Sequence, residues 1–234
     1  MDKTGRFAKT YWSLLWIFPA LCLLLAGCGI FGAEERQAPR RIKGLERIAV
    51  LPMDRASTKP LTDRPTCNIS GGINVSASAY VPPEAAETLT SILFDKLGGD
   101  PRFIPVTQDV CLGFLASMLE KNPSSSELKL LQGFARDLKV DAVLYGKLYR
   151  FRERIGSEYS VKSPASVAFS LILVRARDGA VLWRYSFDQT QQSLTENLLN
   201  WRFYKEKGMR WVTAGELAAY GMEEAIKELK EILS

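Results

Sequence analysis

The chain carries 31 Lys and Arg against 26 Asp and Glu over 234 residues, a formal charge of +5, and it contains no histidine. That length suits one domain with an extension, and the basicity is too mild for a nucleic-acid binder, which concentrates Lys and Arg on one face. The missing histidine removes Ser-His-Asp and Cys-His catalysis and the commonest zinc and iron ligand sets, so no enzyme activity, metal or other cofactor is expected.

The N-terminus reads as a processed leader. Lys3, Arg6 and Lys9 are positive, Tyr11 to Leu25 is almost entirely apolar, and Leu25-Ala26-Gly27-Cys28 sets small residues before a cysteine. This pattern resembles the lipobox of bacterial lipoproteins. The resemblance implies a diacylated Cys28 thiol, cleavage before Cys28 and acylation of the freed amine. An uncleaved signal anchor is the competing reading, because the apolar run is nearly long enough to span a bilayer. A single acyl chain binds only reversibly, whereas several hold a protein in place. Residues 1–27 are then a signal peptide, whose removal leaves 207 residues at charge +3. Residues 28–44, with Gly29, Gly32, Pro39 and four cations, read as the lipidated cysteine and a tether. In that family Asp after the cysteine retains a protein in the inner membrane, so Gly29 implies the outer membrane and a periplasm-facing chain.

Cys22 leaves with the signal and Cys28 is lipidated, so Cys67 and Cys111 remain in an oxidising compartment. A disulfide is the expected state, with two buried free thiols or a redox pair as the other readings; no Cys-x-x-Cys supports redox work. The bridge would close 45 residues, worth roughly 4 kcal/mol in the chain-entropy model.

Residues 45–234 are expected to form a single periplasmic domain. Ile48, Ala49, Val50 and Leu51 make a short strand ended by Pro52, and residues 55–80 read as a long surface loop around Cys67. Pro82 and Pro83 open a helix with Ala85, Leu89, Ile92, Leu93 and Leu97 on one face, stopped by Gly98-Gly99. Phe103, Ile104 and Val106 form a second strand. Asp109 is expected to cap a helix carrying Cys111, Phe114 and Leu115, and Ser126-Glu127 starts another with Leu131, Phe134 and Leu138 inward. Ala142 to Arg154, Ser166 to Val174 and Ala180 to Phe187 then read as a meander, with a polar link from Ile155 to Pro164 and a tight turn at Asp178-Gly179. A helix from about Thr213 to Leu233, apolar at Leu217, Met222, Ala225, Ile226 and Leu229, closes the chain. The expected architecture is an α/β (α+β) sandwich, a mixed sheet with a C-terminal antiparallel meander and packing helices.

Arg47-Ile48-Ala49-Val50-Leu51-Pro52, Val140-Asp141-Ala142-Val143-Leu144-Tyr145-Gly146 and Arg177-Asp178-Gly179-Ala180-Val181-Leu182-Trp183, in that order, resemble the CsgG, LpoB and TolB-N-terminal-domain group of envelope proteins. The resemblance implies a TolB-N-terminal-domain-like fold and noncatalytic partner binding in the cell envelope. Each phrase also has a packing explanation, with Gly146 a close-approach position and Trp183 a core aromatic.

Trp201, Arg202, Phe203, Tyr204, Lys205, Lys207, Arg210 and Trp211 pack four aromatics and four cations into eleven residues. Trp201, Arg202, Tyr204, Lys205 and Arg210 are candidates for a protein-binding surface, since Trp, Tyr and Arg dominate interface hot spots. Core packing with solvated cations, or membrane or glycan contact, are the other readings. The best acid/base carboxylates are Asp141, Glu153, Glu158 and Asp178; none has a convincing partner, and no Walker-type, Gly-x-Gly-x-x-Gly or Gly-x-Ser-x-Gly phrase occurs. The expected function is a lipid-anchored, outer-membrane adaptor or regulator that binds an envelope protein, with the bilayer engaged through acylated Cys28 and a homo-oligomer compatible. A structural subunit of a transport or secretion complex, and a glycan-active enzyme, are the alternatives.

Overall fold

The computed structural model describes residues 41–56, 81–121, 126–192 and 210–234. The chain divides into two units, Met1–Arg40 and Arg41–Ser234, and the described residues all belong to the second. Cys28, Cys67 and Trp201 to Lys205 lie outside them, as do most of the expected tether and the loop over 57–80.

The run Ile48–Val50 (β1) is buried residue by residue, as a strand covered on both faces must be. Ile48 and Val50 enter one core while Ala49 and Leu51 enter the other, so the period of two sorts one short run between two layers. After Asp54–Arg55 (β2) come Pro83–Leu97 (α1), Phe103–Pro105 (β3), Gln108–Lys121 (α2) and Glu127–Leu138 (α3). Ala142–Arg152 (β4), the short pair Ile155–Gly156 (β5) and Val161–Ser163 (β6), Ser166–Arg175 (β7), Val181–Thr190 (β8) and Ala214–Ile232 (α4) follow.

The main sheet runs β3-β1-β4-β7-β8, with β2 also paired to β4. β1 is parallel to both β3 and β4, whereas β4, β7 and β8 are antiparallel, which makes the sheet mixed as expected. One face packs Val50, Leu144, Phe169, Leu171 and Leu173 against Leu89 and Leu93 of α1 and Met222 and Leu229 of α4. The other packs Ala49, Val143, Ile172 and Val174 against Cys111 and Leu115 of α2 and Leu131 and Phe134 of α3. Phe114 meets Phe134 edge-on at 4.6 Å.

Most helix ends follow the local chemistry. Pro83 opens α1, and the Gly98 N–H returns to the Phe94 carbonyl at 2.8 Å. Ser126 caps α3, and Thr213 with Glu216 forms a capping box on α4. Asp109 differs from expectation. It lies in the first turn of α2, which begins at Gln108, so its carboxylate meets the helix dipole from inside the helix.

The Asp178-Gly179 turn is also longer than the two-residue form. A type I′ turn requires positive φ at both central residues, and here only Gly179 has it, at 72°. The Arg175 N–H instead donates to the Ala180 carbonyl at 2.9 Å, closing a four-residue loop, and the strand register shifts at Leu173/Val174. Gly146 is a close-approach position, since a Cβ there would lie 2.2 Å from Met53 Sδ and 2.7 Å from Leu171 Cδ2. Trp183 is buried, and its indole N–H donates to Glu228 Oε1 of α4 at 2.9 Å.

Candidate functional site

Chain direction brings the end of β4, the β5–β6 hairpin, the residues after β8 and the start of α4 to one place, where Gln191 and Arg210 meet. Gln191 is buried, and an isolated amide there would lose its water without compensation. Its Nε2 donates to the Arg210 carbonyl at 2.9 Å, and its Oε1 accepts from the Val212 N–H at 2.8 Å. One side chain thus supplies two backbone partners to a segment with which, among the described residues, no strand pairs.

The β5–β6 hairpin supplies the rest. The Trp211 N–H donates to the Glu158 carbonyl at 2.7 Å, and Arg154 Nη1 donates to the Trp211 carbonyl at 2.8 Å. The Glu153 carboxylate accepts from the Ala214 N–H at 3.1 Å, one of the four donors that a helix start leaves without a helical partner. Arg210 pairs through its guanidinium with Glu216 and, at 3.8 Å, with Glu158. The hydrogen bond from Arg210 holds the Glu216 carboxyl below the usual carboxylate range, and the same bond raises Arg210.

Of the partner-binding residues named from sequence, the structure describes Arg210 and shows its guanidinium engaged within the chain. Trp201, Arg202, Tyr204 and Lys205 are outside the described residues. Gln191, Glu153 and Glu158 prove to be the organising groups. Sequence reasoning missed Gln191 because its contacts span about twenty positions with no periodic signal.

The carboxylates considered for catalysis have structural partners. Asp141 Oδ2 accepts from the Glu46 and Arg47 N–H groups at 2.8 and 2.9 Å, which sets the entry to β1. Asp178 Oδ1 accepts from the Ala180 N–H at 3.0 Å, and that bond, with Arg175 and Arg177 nearby, lowers its pKa. An apolar pocket of about 390 Å³ lies between the end of α1 and β3, lined by Phe94, Leu97, Pro101 and Phe103. Its acidic group, Asp100, is held by Arg102, which also donates to the Leu233 carbonyl at 2.9 Å. Among the described residues there is no group of metal-ligating side chains, and no helix is long and apolar enough to cross a membrane.

Fold and site together define a mixed-sheet α/β sandwich with a hydrogen-bonded junction at one end. No family model and no curated protein matches the chain. Among solved structures it is similar to the PelC dodecamer from Paraburkholderia phytofirmans, 13% identical over 82% of this chain and 93% of that one, with a TM-score of 0.45. It is similar to the LpoB C-terminal domain from Salmonella enterica, 14% identical over 74% and 94%, with a TM-score of 0.34. Lipoprotein GNA1162 from Neisseria meningitidis matches at 15% over 69% and 96%, with a TM-score of 0.34. Likenesses of this size carry no argument about what the chain binds.

The Arg210–Glu216 pair makes stability pH-dependent in a stated direction. A carboxyl whose pKa is lowered by folding stabilises above its ordinary value, and that contribution is lost as pH falls through the lowered value. Glu216→Gln should therefore reduce stability near neutrality and change it less at about pH 3, measured by urea unfolding at both. Equal losses at both pH values would show that the ionised pair contributes nothing.

Proposed function

We propose that the protein is a lipid-anchored, noncatalytic adaptor or regulator of a bacterial envelope, held in the outer membrane by acylated Cys28 and binding a protein partner on its periplasmic side. The observation that carries this reading is Leu25-Ala26-Gly27-Cys28 behind a basic and then apolar leader. The geometry supports the noncatalytic part. Asp141, Glu153 and Asp178 each accept from backbone N–H groups, and Arg210 lies beside Glu158, so these carboxylates act as braces. The surface we assign to the partner is Trp201, Arg202, Tyr204 and Lys205, carried by a segment whose two ends are joined at Gln191 and Arg210.

We also propose that Cys67 and Cys111 are joined. Cys111 is fully buried, which supports an inert, bridged sulfur over a reactive thiol.

Three measurements test these statements. Cys28→Ser should abolish acyl-chain labelling and processing at that position, and labelling that persists without Cys28 removes the anchor. Cys67 and Cys111 should resist alkylation under denaturing, nonreducing conditions and become reactive after reduction; thiols free from the outset reject the bridge. Arg202→Ala or Tyr204→Ala should weaken partner capture from membranes by about 1 kcal/mol or more with unfolding nearly unchanged. Binding that falls only in proportion to stability assigns the segment to the core instead.

A further inference from the structure

The β3 and β8 edges of the main sheet differ in what they offer a further strand. On β3 the outward-facing residues are Phe103 and Pro105, because Ile48 N–H donates to the Arg102 carbonyl and Val106 N–H to the Val50 carbonyl. The Phe103 N–H is taken by the Asp100 carbonyl at 3.2 Å, and Pro105 has no N–H to give. That edge has no donor left for a ladder.

β8 is the opposite case. The Gln191 N–H donates to the Ala165 carbonyl at 3.0 Å, and in the β7–β8 register this turns Trp183, Tyr185, Phe187 and Gln189 toward β7. The backbone groups of Arg184, Ser186, Asp188 and Thr190 therefore point away from the sheet. All four residues are exposed, and among the described residues no strand pairs with them. Natural edges of this length are usually guarded by Lys, Pro or a covering element, and β8 contains neither Lys nor Pro.

We propose that this edge is a homodimer interface in which β8 of one protomer pairs antiparallel with β8 of a second copy about a twofold axis at Ser186. The register is chosen by charge. With Ser186 opposite Ser186 of the partner subunit, Arg184 of each protomer lies directly opposite Asp188 of the partner subunit, twice over. Moving the axis by two residues either way places Arg184 against the partner's Arg184, or Asp188 against the partner's Asp188. Opposite charges directly across an antiparallel pair stabilise it, and like charges destabilise it. On the α4 face the same register sets Tyr185, which is half-buried, beside Phe187 of the partner subunit. This adds aromatic contact to rings already stacked within the protomer, Phe169 on Phe187 at 5.2 Å and Trp183 on Tyr185 at 6.0 Å. The Asp188 side chain also pairs with Arg150 in its own protomer yet stays 62% exposed, so it has room for a second cation. The occupant is a second copy because the outward sequence is complementary to itself when reversed.

The inference goes beyond the adaptor reading and does not depend on the lipid anchor. It is tested on the full chain purified in detergent, by sedimentation across a wide concentration range. The wild type should form dimers. Arg184→Asp alone and Asp188→Arg alone should each raise the dissociation constant about tenfold or more, with circular dichroism unchanged. An equimolar mixture of the two variants restores opposite charges at both contacts and should recover the dimer. Because Asp188 also pairs with Arg150, a second probe leaves the charges intact. Ser186→Cys should cross-link into covalent dimers on mild oxidation, since directly opposed hydrogen-bonded residues bring Cα atoms to about 5.5 Å, within disulfide reach. A wild type that stays monomeric, a closed ring of more than two copies, or a dimer indifferent to Arg184→Asp and not cross-linked through residue 186 would each overturn the proposal.

Discussion

The rest of the sheet depends on β7 being dry on both faces. Nine of its ten residues are buried, and it joins the parallel half of the sheet, through β4, to the antiparallel half, through β8. Phe169, Leu171 and Leu173 face the core under α1 and α4, while Ile172 and Val174 face the core under α2 and α3. Each such side chain contributes on the order of 1.5–3 kcal/mol by leaving water, so this strand holds both helix layers to the sheet. Polar groups can occupy it only when paired. Ser166 accepts from Arg150 Nε at 2.7 Å and lies 2.6 Å from Thr190 Oγ1, and Ser170 lies 3.1 Å from the Tyr149 hydroxyl. The same dryness raises the pKa of Tyr149, whose phenolate would have to form without water.

A sheet anchored at its centre leaves its ends to be fixed by other means, and the two ends use different chemistry. At the α1 side, Arg102 ties Asp100 and the Leu233 carbonyl together, so the last turn of α4 is held to the approach to β3. Ile42 donates to the Ile232 carbonyl at 2.7 Å and fastens the segment before β1 to the same turn. At the far end, among the described residues no strand pairs with 210–213, and side-chain amide and carboxylate groups replace the ladder. α4 is thereby clamped at both termini, and its apolar face from Leu217 to Leu229 has one seat on the sheet.

Local pattern carried most of the fold into view. Val167, Phe169, Leu171 and Leu173 alternate, and so do Trp183, Tyr185 and Phe187, and the structure pairs Phe169 with Phe187, Leu171 with Tyr185 and Leu173 with Trp183. The apolar face of α4 placed its start near Thr213, where the structure adds a capping box with Glu216. What stayed hidden was whatever a single segment cannot encode. Ser166 and Ser170 are buried among the apolar residues of β7, and their hydroxyl partners come from β4 and from the end of β8, which the run itself does not encode. The parallel pairing of Asp54–Arg55 with Lys147–Leu148 crosses more than ninety residues and leaves no mark in two residues of sequence. The candidate site was legible only in part for the same reason. Its aromatic and basic residues cluster in sequence, whereas Gln191, which joins the two ends of that segment, carries no local signal.

The chain has no histidine. Every resolved shift moves a group away from neutrality, with Asp100, Asp178 and Glu216 lowered and Tyr149, Tyr185, Arg102 and Arg210 raised. Proton concentration near neutrality is therefore a weak lever on the pairs these seven groups make. Ionic strength is a strong one, since exposed pairs such as Lys96–Glu223 and outward charges such as Arg184 and Asp188 interact through water and are screened over about 8 Å at physiological salt. A contact built from Arg184 and Asp188 then weakens with added salt, while the aromatic pairing beside it carries no charge for salt to screen.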